Sequence, residues 1–234
     1  MEIISYNGHN DITIRFLDEY KSEVHTVYQN FRNGSVKNPY DKTVYGIGYL
    51  GVGKYKVIDE KTGTDTRYET WRVLLARCYV EKHRKLFVKY DNCYVCEEWL
   101  NYQKFSEWYE NNFYRVGTER MQIDKDILVA GNQLYSPKTC IIVPQSINLI
   151  FTKHKKTVDP DLPTGIKRYH MSNGGCKYQA TYRGKYLGVF NELKCAIDCY
   201  NSAKLKHISE VAELYKQYIP QKVYDALISW KPEN

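Results

Sequence analysis

From Lys177 to Arg183 the chain alternates strictly: Lys177, Gln179, Thr181 and Arg183 are polar or basic, while Tyr178, Ala180 and Tyr182 between them can pack. A period of two belongs to a β-strand with one wet face and one buried face. Gly165–His170 and Lys185–Phe190 read as its two neighbours, joined through turns at Asn173-Gly174-Gly175 and Arg183-Gly184. Asn191 then caps a helix that carries Ala196, Ile197, Tyr200, Ala203 and Leu205 at helical spacing. The pattern predicts a three-stranded sheet with a helix on its apolar side and a polar, basic face turned outward.

Charge follows the same segment. The chain has 234 residues and a net charge of +7; residues 1–150 hold 20 Lys and Arg against 19 Asp and Glu, and residues 151–234 hold 14 against 8. A basic excess gathered in the last third is the electrostatic footprint of a partner with phosphates, although a solvated sheet face accounts for Lys and Thr as well. Hydrophobic residues at 43% and charged residues at 26% exclude a disordered or collagen-like chain. Tyrosine is abundant, at 23 residues, and its polar tip on an apolar ring suits wet binding surfaces. No stretch approaches the roughly 18 apolar residues of a membrane span, and the first residues lack a secretion signal, so a soluble cytoplasmic protein with no membrane partner is expected.

The rest of the chain divides by pattern into an α+β fold. Residues 1–55 read as a small β module, with Ile12, Ile14 and Phe16 alternating and turns at Asn7-Gly8 and Asn33-Gly34. Gly46, Gly48, Gly51 and Gly53 could cradle phosphate, but the run lacks the Gly-Lys-Ser/Thr ending of a nucleotide loop and reads better as a glycine-rich strand or bulge. Residues 56–153 form a mixed centre. Thr66 can cap a helix with Trp71, Leu74, Leu75 and Cys78 on one face, and a second helix runs from about Glu97 to Asn112. Gln122 to Ile150 reads as strand, loop, strand and a short helix beginning near Pro144. A charged, proline-bearing linker, residues 153–163, separates this centre from a C-terminal domain of residues 154–234, whose tail is helical with Pro220 opening the last helix.

Seven cysteines without an export signal argue against a disulfide framework. Cys93 and Cys96 have the two-residue gap that lets two thiolates share a tetrahedral ion, with Cys78 and Cys140 as further ligands to a structural Zn²⁺. Small buried hydrophobes are the alternative reading for the same residues.

Two resemblances stand on these residues. Trp71 to Tyr79, Val95-Cys96-Glu97-Glu98-Trp99, Phe105, Trp108, Ile123-Asp124-Lys125-Asp126 and Tyr135 to Cys140 together resemble the core of bacteriophage HNH-type, homing-endonuclease-like proteins, over about residues 66–150. The resemblance implies a ββα core that holds one Mg²⁺ or Mn²⁺ over a phosphodiester. The family's catalytic histidine would fall in Asp124-Lys125-Asp126, and His83 is the one histidine of the centre. Asp124 or Asp126 could replace it in part, as carboxylates hold Mg²⁺ and accept a proton from a metal-bound water. Asn132 would order the loop and Asn148 would approach the metal from the helix. Alternatively the aspartates and asparagines bond only backbone in a turn-rich segment.

Thr164-Gly165-Ile166-Lys167, Tyr178-Gln179-Ala180, Lys185 to Phe190 and Ala196 to Asn201 resemble the DNA-binding domain of plant ethylene-response factors, over about residues 164–207. The resemblance implies a sheet lying in the major groove of double-stranded DNA, read by Lys167 and Tyr169 on the first strand, Thr181 and Arg183 on the second, and Lys185 and Tyr186 on the third. The expected function is a metal-dependent DNA endonuclease directed by that sheet. A catalytically inactive DNA-binding regulator or inhibitor on the same scaffold is the second expectation, and a zinc-stabilised interaction protein is the third.

Overall fold

The computed structural model describes residues 1–61, 63–86, 92–152, 161–172 and 174–232. Most of the expected linker, residues 153–160, and Asn173 of the first turn lie outside the described residues. The fold is α+β, as the patterns predict. The chain divides into two compact units, Met1–Asn111 and Asn112–Asn234. The division falls inside the segment read as the central module, and its charge is one-sided: the first unit is neutral, and the second carries 18 Lys and Arg against 11 Asp and Glu. No described helix is long and apolar enough to cross a membrane.

In the first unit, β1 (Glu2–Tyr6), β2 (Ile12–Arg15) and β3 (Glu23–Thr26) form an antiparallel meander. Ile12 and Ile14 alternate into its core, both fully buried. After α1 (Tyr28–Arg32) and the two-residue strands β4 (Ile58–Asp59) and β5 (Gly63–Thr64) comes α2 (Thr66–Tyr79). Its cap is Asp65 rather than Thr66: the Asp65 carboxylate accepts the Arg67 backbone N–H at 2.7 Å. Trp71, Leu74, Leu75 and Cys78 are buried on one face, as their spacing predicts.

The helix expected from Glu97 is broken in two. Residues Glu97–Leu100 make a 3-10 turn, and α4 (Tyr102–Asn112) starts afresh, following α3 (Glu81–Leu86) and β6 (Tyr94–Val95). Asn101 is extended because Tyr49 bonds the backbone on both sides of it, donating to Leu100 and accepting from Tyr102. The glycine run explains itself at the same place. A Cβ on Gly48 would lie 2.5 Å from the Leu75 side chain, one on Gly51 2.6 Å from Asn101, and one on Gly53 2.3 Å from Gln103. These glycines let backbone pass against the helices, so packing rather than phosphate accounts for them.

In the second unit, β7 (Met121–Asp124) pairs antiparallel with β9 (Ile141–Pro144), with Ile123 opposite Ile142. Between them lie a long loop and the short β8 (Leu134–Tyr135), and α5 (Gln145–Phe151) follows directly on Pro144. This is the strand, loop, strand and helix order read from Gln122 to Ile150. The three-stranded sheet then forms from β10 (Ile166–His170), β11 (Cys176–Tyr182) and β12 (Lys185–Phe190), in that order and antiparallel. Next come α6 (Leu193–Tyr215) and α7 (Gln221–Ile228). The residue before α6 is Glu192 rather than Asn191, and it makes no side-chain cap.

Helix α6 has 23 residues and is therefore about 34 Å long. Its first turns put Ala196, Ile197 and Tyr200 against Ile166 and Ala180 of the sheet. Its later turns put Ile208 and Ala212 into a second core with Ile141, Val143 and Ile147 of the β9–α5 segment and with Val223 and Leu227 of α7. Each fully buried Ile or Leu there contributes roughly 1.5–3 kcal/mol relative to exposure. The sheet and the strand-strand-helix element thus share one helix, and a fragment starting at residue 153 would lose the β9 and α5 side of the second core that α6 packs against.

Candidate functional site

The face of the sheet turned away from α6 is set by register. Gln179 lies at its centre on β11, opposite Lys167 of β10 and Val189 of β12. Lys177 stands opposite Tyr169, and Thr181 opposite Tyr186. Tyr186 and Val189 are three residues apart, a spacing that places them on opposite faces of a regular strand. A bulge between Tyr186, opposite Thr181, and Gly188, opposite Ala180, inserts Leu187 and restores them to one face. Tyr186 is 60% exposed, Val189 45% and Tyr169 44%. Arg183 (φ 48°) and Gly184 (φ 80°) form the two-residue hairpin turn between β11 and β12, both in the left-handed region. Of the expected residues, Lys167, Tyr169, Thr181 and Tyr186 come together on this face, with Arg183 at the hairpin tip. Lys185 stands opposite Tyr182 and belongs by alternation to the helix side, exposed at the hairpin end.

A chain of hydrogen bonds crosses the face. The Tyr169 hydroxyl donates to Gln179 Oε1 at 2.8 Å, and Gln179 Nε2 donates to Thr181 Oγ1 at 3.2 Å. Gln179 and Lys177 were part of the alternation in sequence but outside the positions the resemblance points to. Register alone makes Gln179 central.

Behind the face, Tyr182 ties the sheet to α6. Its ring meets Tyr200 and His207 edge-on, and its hydroxyl lies 2.8 Å from His207 Nδ1. Burial holds the His207 imidazole below its usual value of 6.5, with Arg183 adding to the effect and Glu210 opposing it. As pH falls, the unfolded chain therefore takes up the proton first. Stability present above about pH 6.5 is expected to decline as pH drops from there toward the folded value, and His207→Gln is expected to remove that part of the slope. Urea midpoints of both proteins on either side of this window check it; parallel midpoints would refute the assignment.

The loop after β7 was expected to hold a divalent metal through Asp124, Asp126 and Asn148. Asp124 is buried, and its Oδ1 accepts the backbone N–H groups of Asp126 at 2.8 Å and Ile127 at 2.7 Å. Burial pushes its carboxyl up to about 6, against the pull of those two donors. Asp126 is held instead by Lys125, whose ammonium is 2.9 Å from Asp126 Oδ1 and also donates to the Asn132 carbonyl. Lys125 is 8% exposed, and its ammonium lies 6.0 Å from the Tyr135 ring centre. Asn132 orders the loop as expected, donating to the Lys125 and Leu134 carbonyls and accepting from the Leu134 N–H. Asn148 turns to Gln122, to which it donates.

The three expected ligands thus serve three separate partners. Mg²⁺ demands a near-octahedral set of oxygens, and here an ammonium already stands at the carboxylate that would begin one. In this arrangement the Lys125 ammonium competes with a cation for Asp126. Sequence reasoning passed over Lys125, and the signal was there: a lysine enclosed by two aspartates just before the apolar run Ile127 to Ala130.

Among the described residues no group of three or more His, Cys, Asp or Glu converges as metal ligands must. Cys78 and Cys93 are buried in the first unit, and Cys140 is fully buried in the second. Burial pushes the Cys140 thiol up to about 12 and raises Cys96 as well. The reading as small buried hydrophobes fits these positions.

No family model matches the chain, and no curated protein or solved structure matches it.

Proposed function

We propose that this chain is a sequence-directed, double-stranded-DNA-binding protein in which the strand-strand-helix element braces the DNA-reading sheet rather than cutting. The observation that carries the reading is the outer face of β10–β11–β12. It gathers Lys167, Lys177, Gln179, Thr181 and Tyr186 on one surface, in the unit that holds all of the net charge. Lysine and arginine reach phosphates and guanine edges, amides reach adenine, and a β-ribbon fits the major groove. Helix α6, packed on the other face, gives the sheet a rigid backing.

A metal-dependent endonuclease of the HNH type is the second reading. The order of β7, β9 and α5, with Asp124 ending the first strand and Asn148 on the helix, favours it. The Lys125 ammonium at Asp126 stands against it.

The intact chain is expected to bind duplex DNA and to leave supercoiled plasmid uncut in Mg²⁺ or Mn²⁺. Cutting that requires metal and vanishes in Asp124→Ala with Asp126→Ala would transfer the conclusion to the endonuclease. Absence of any salt-dependent DNA binding would remove the DNA reading altogether.

A further inference from the structure

We propose that Gln179 and Val189 together read an A·T pair or step in the major groove, with Gln179 on adenine and Val189 against the thymine methyl. This rests on the DNA-binding reading above. Gln179 occupies the middle strand at the middle of the outer face. Its amide is oriented before any ligand arrives: Tyr169 occupies one side of Oε1, and Thr181 takes one of the two N–H groups. What is left is one acceptor lone pair and one N–H donor, side by side. Adenine presents the complementary pair in the major groove, an N6–H donor beside the N7 acceptor, and this is the base to which a glutamine amide bonds bidentately. Guanine offers two acceptors at the same edge, and would leave the oriented Oε1 facing an acceptor.

Val189 supplies the second half. It is the residue directly across from Gln179, its Cβ about 4.5–5.5 Å away as in any cross-strand pair. It is 45% exposed, an apolar side chain on a face otherwise made of polar, basic and tyrosine groups. The one base feature in the major groove that an apolar side chain recognises is the thymine methyl. Lys167, on the other flank of Gln179, completes the row and is left to a phosphate or a guanine edge. Tyr169 and Thr181 are positioning residues here, since they act through the amide.

The test uses the intact chain and duplexes selected by it from a random library. In the selected site, each adenine is replaced singly by 7-deazaadenine, which lacks N7, and each thymine by uracil, which lacks the methyl. One 7-deazaadenine is expected to weaken wild-type binding roughly ten-fold, and the same replacement to cost nothing further in Gln179→Ala. One uracil is expected to weaken the wild type and leave Val189→Ala unchanged. Tyr169→Phe keeps the ring but removes the hydroxyl that holds the amide; it is expected to lose adenine preference while keeping the salt dependence of binding. A selected site with no required adenine, or a 7-deazaadenine penalty that persists in Gln179→Ala, overturns the proposal. Normal salt-dependent binding in that case leaves the DNA reading standing, whereas no binding to any duplex overturns both.

Discussion

Raising salt from about 50 to about 200 mM is expected to weaken duplex-DNA binding by the intact chain roughly 40- to 150-fold, the loss that three to four phosphate contacts produce. The contacts in question are Lys167 and Lys177 on the outer face, Arg183 at the hairpin tip and Lys185 at its end. Each cation that meets a phosphate releases condensed counterion, so log affinity falls linearly with log salt at about −0.9 per contact. Fluorescence anisotropy over a salt series reads the slope directly. Lys167→Ala separates two roles for that residue. Loss of a phosphate contact flattens the slope by about 0.9 on every sequence, while loss of a base contact leaves the slope and weakens only the preferred site. A flat response to salt would show that the basic face meets no polyanion.

Gly165→Ala is expected to destabilise the second unit by about 2–5 kcal/mol, combining the cost of a left-handed residue with that of overpacking. Gly165 sits at φ +83°, and a Cβ there would lie 2.3 Å from the Tyr200 ring and 2.5 Å from the Thr181 carbonyl. The ring is wedged against the sheet and the carbonyl is backbone, so neither gives way cheaply. Gly165 also accepts the Thr181 N–H at 2.8 Å, which fixes the start of β10 against β11. Gly174 is the internal control. It has φ +82° with nothing within 4 Å of a built Cβ, so Gly174→Ala should cost only the backbone strain, about 1–2 kcal/mol. Urea unfolding of the two variants measures the difference. Equal destabilisation would mean that the contact with Tyr200 carries no weight, and Gly165→Ala should also lose DNA binding in proportion to the unfolded fraction.

Local alternation made the three strands and their helix legible, because side-chain direction in a strand depends only on residue parity and Arg183-Gly184 marks a turn by its own backbone needs. The same holds for Ile12 and Ile14, for the buried face of α2, and for Asn132, whose loop-ordering bonds reach residues two and seven positions away. Parity fails where an extra residue enters a ladder, so only the pairing with Ala180 decided that Tyr186 and Val189 share a face. Helical spacing fails where a distant backbone competes, and Tyr49 broke the helix at Asn101 for that reason. The α6 pattern looks like one amphipathic helix from within. Which two cores it serves was settled by the partners that β9, α5 and α7 bring to it. Residue types at Asp124, Asp126 and Asn148 permit a ligand set, and only the folded loop shows that the Lys125 ammonium reaches Asp126, that backbone N–H groups reach Asp124 and that Asn148 reaches Gln122. Short-range periodicity is written in the chain because neighbours along it enforce it; the choice among competing partners for one polar group depends on distances that exist only once the chain has folded.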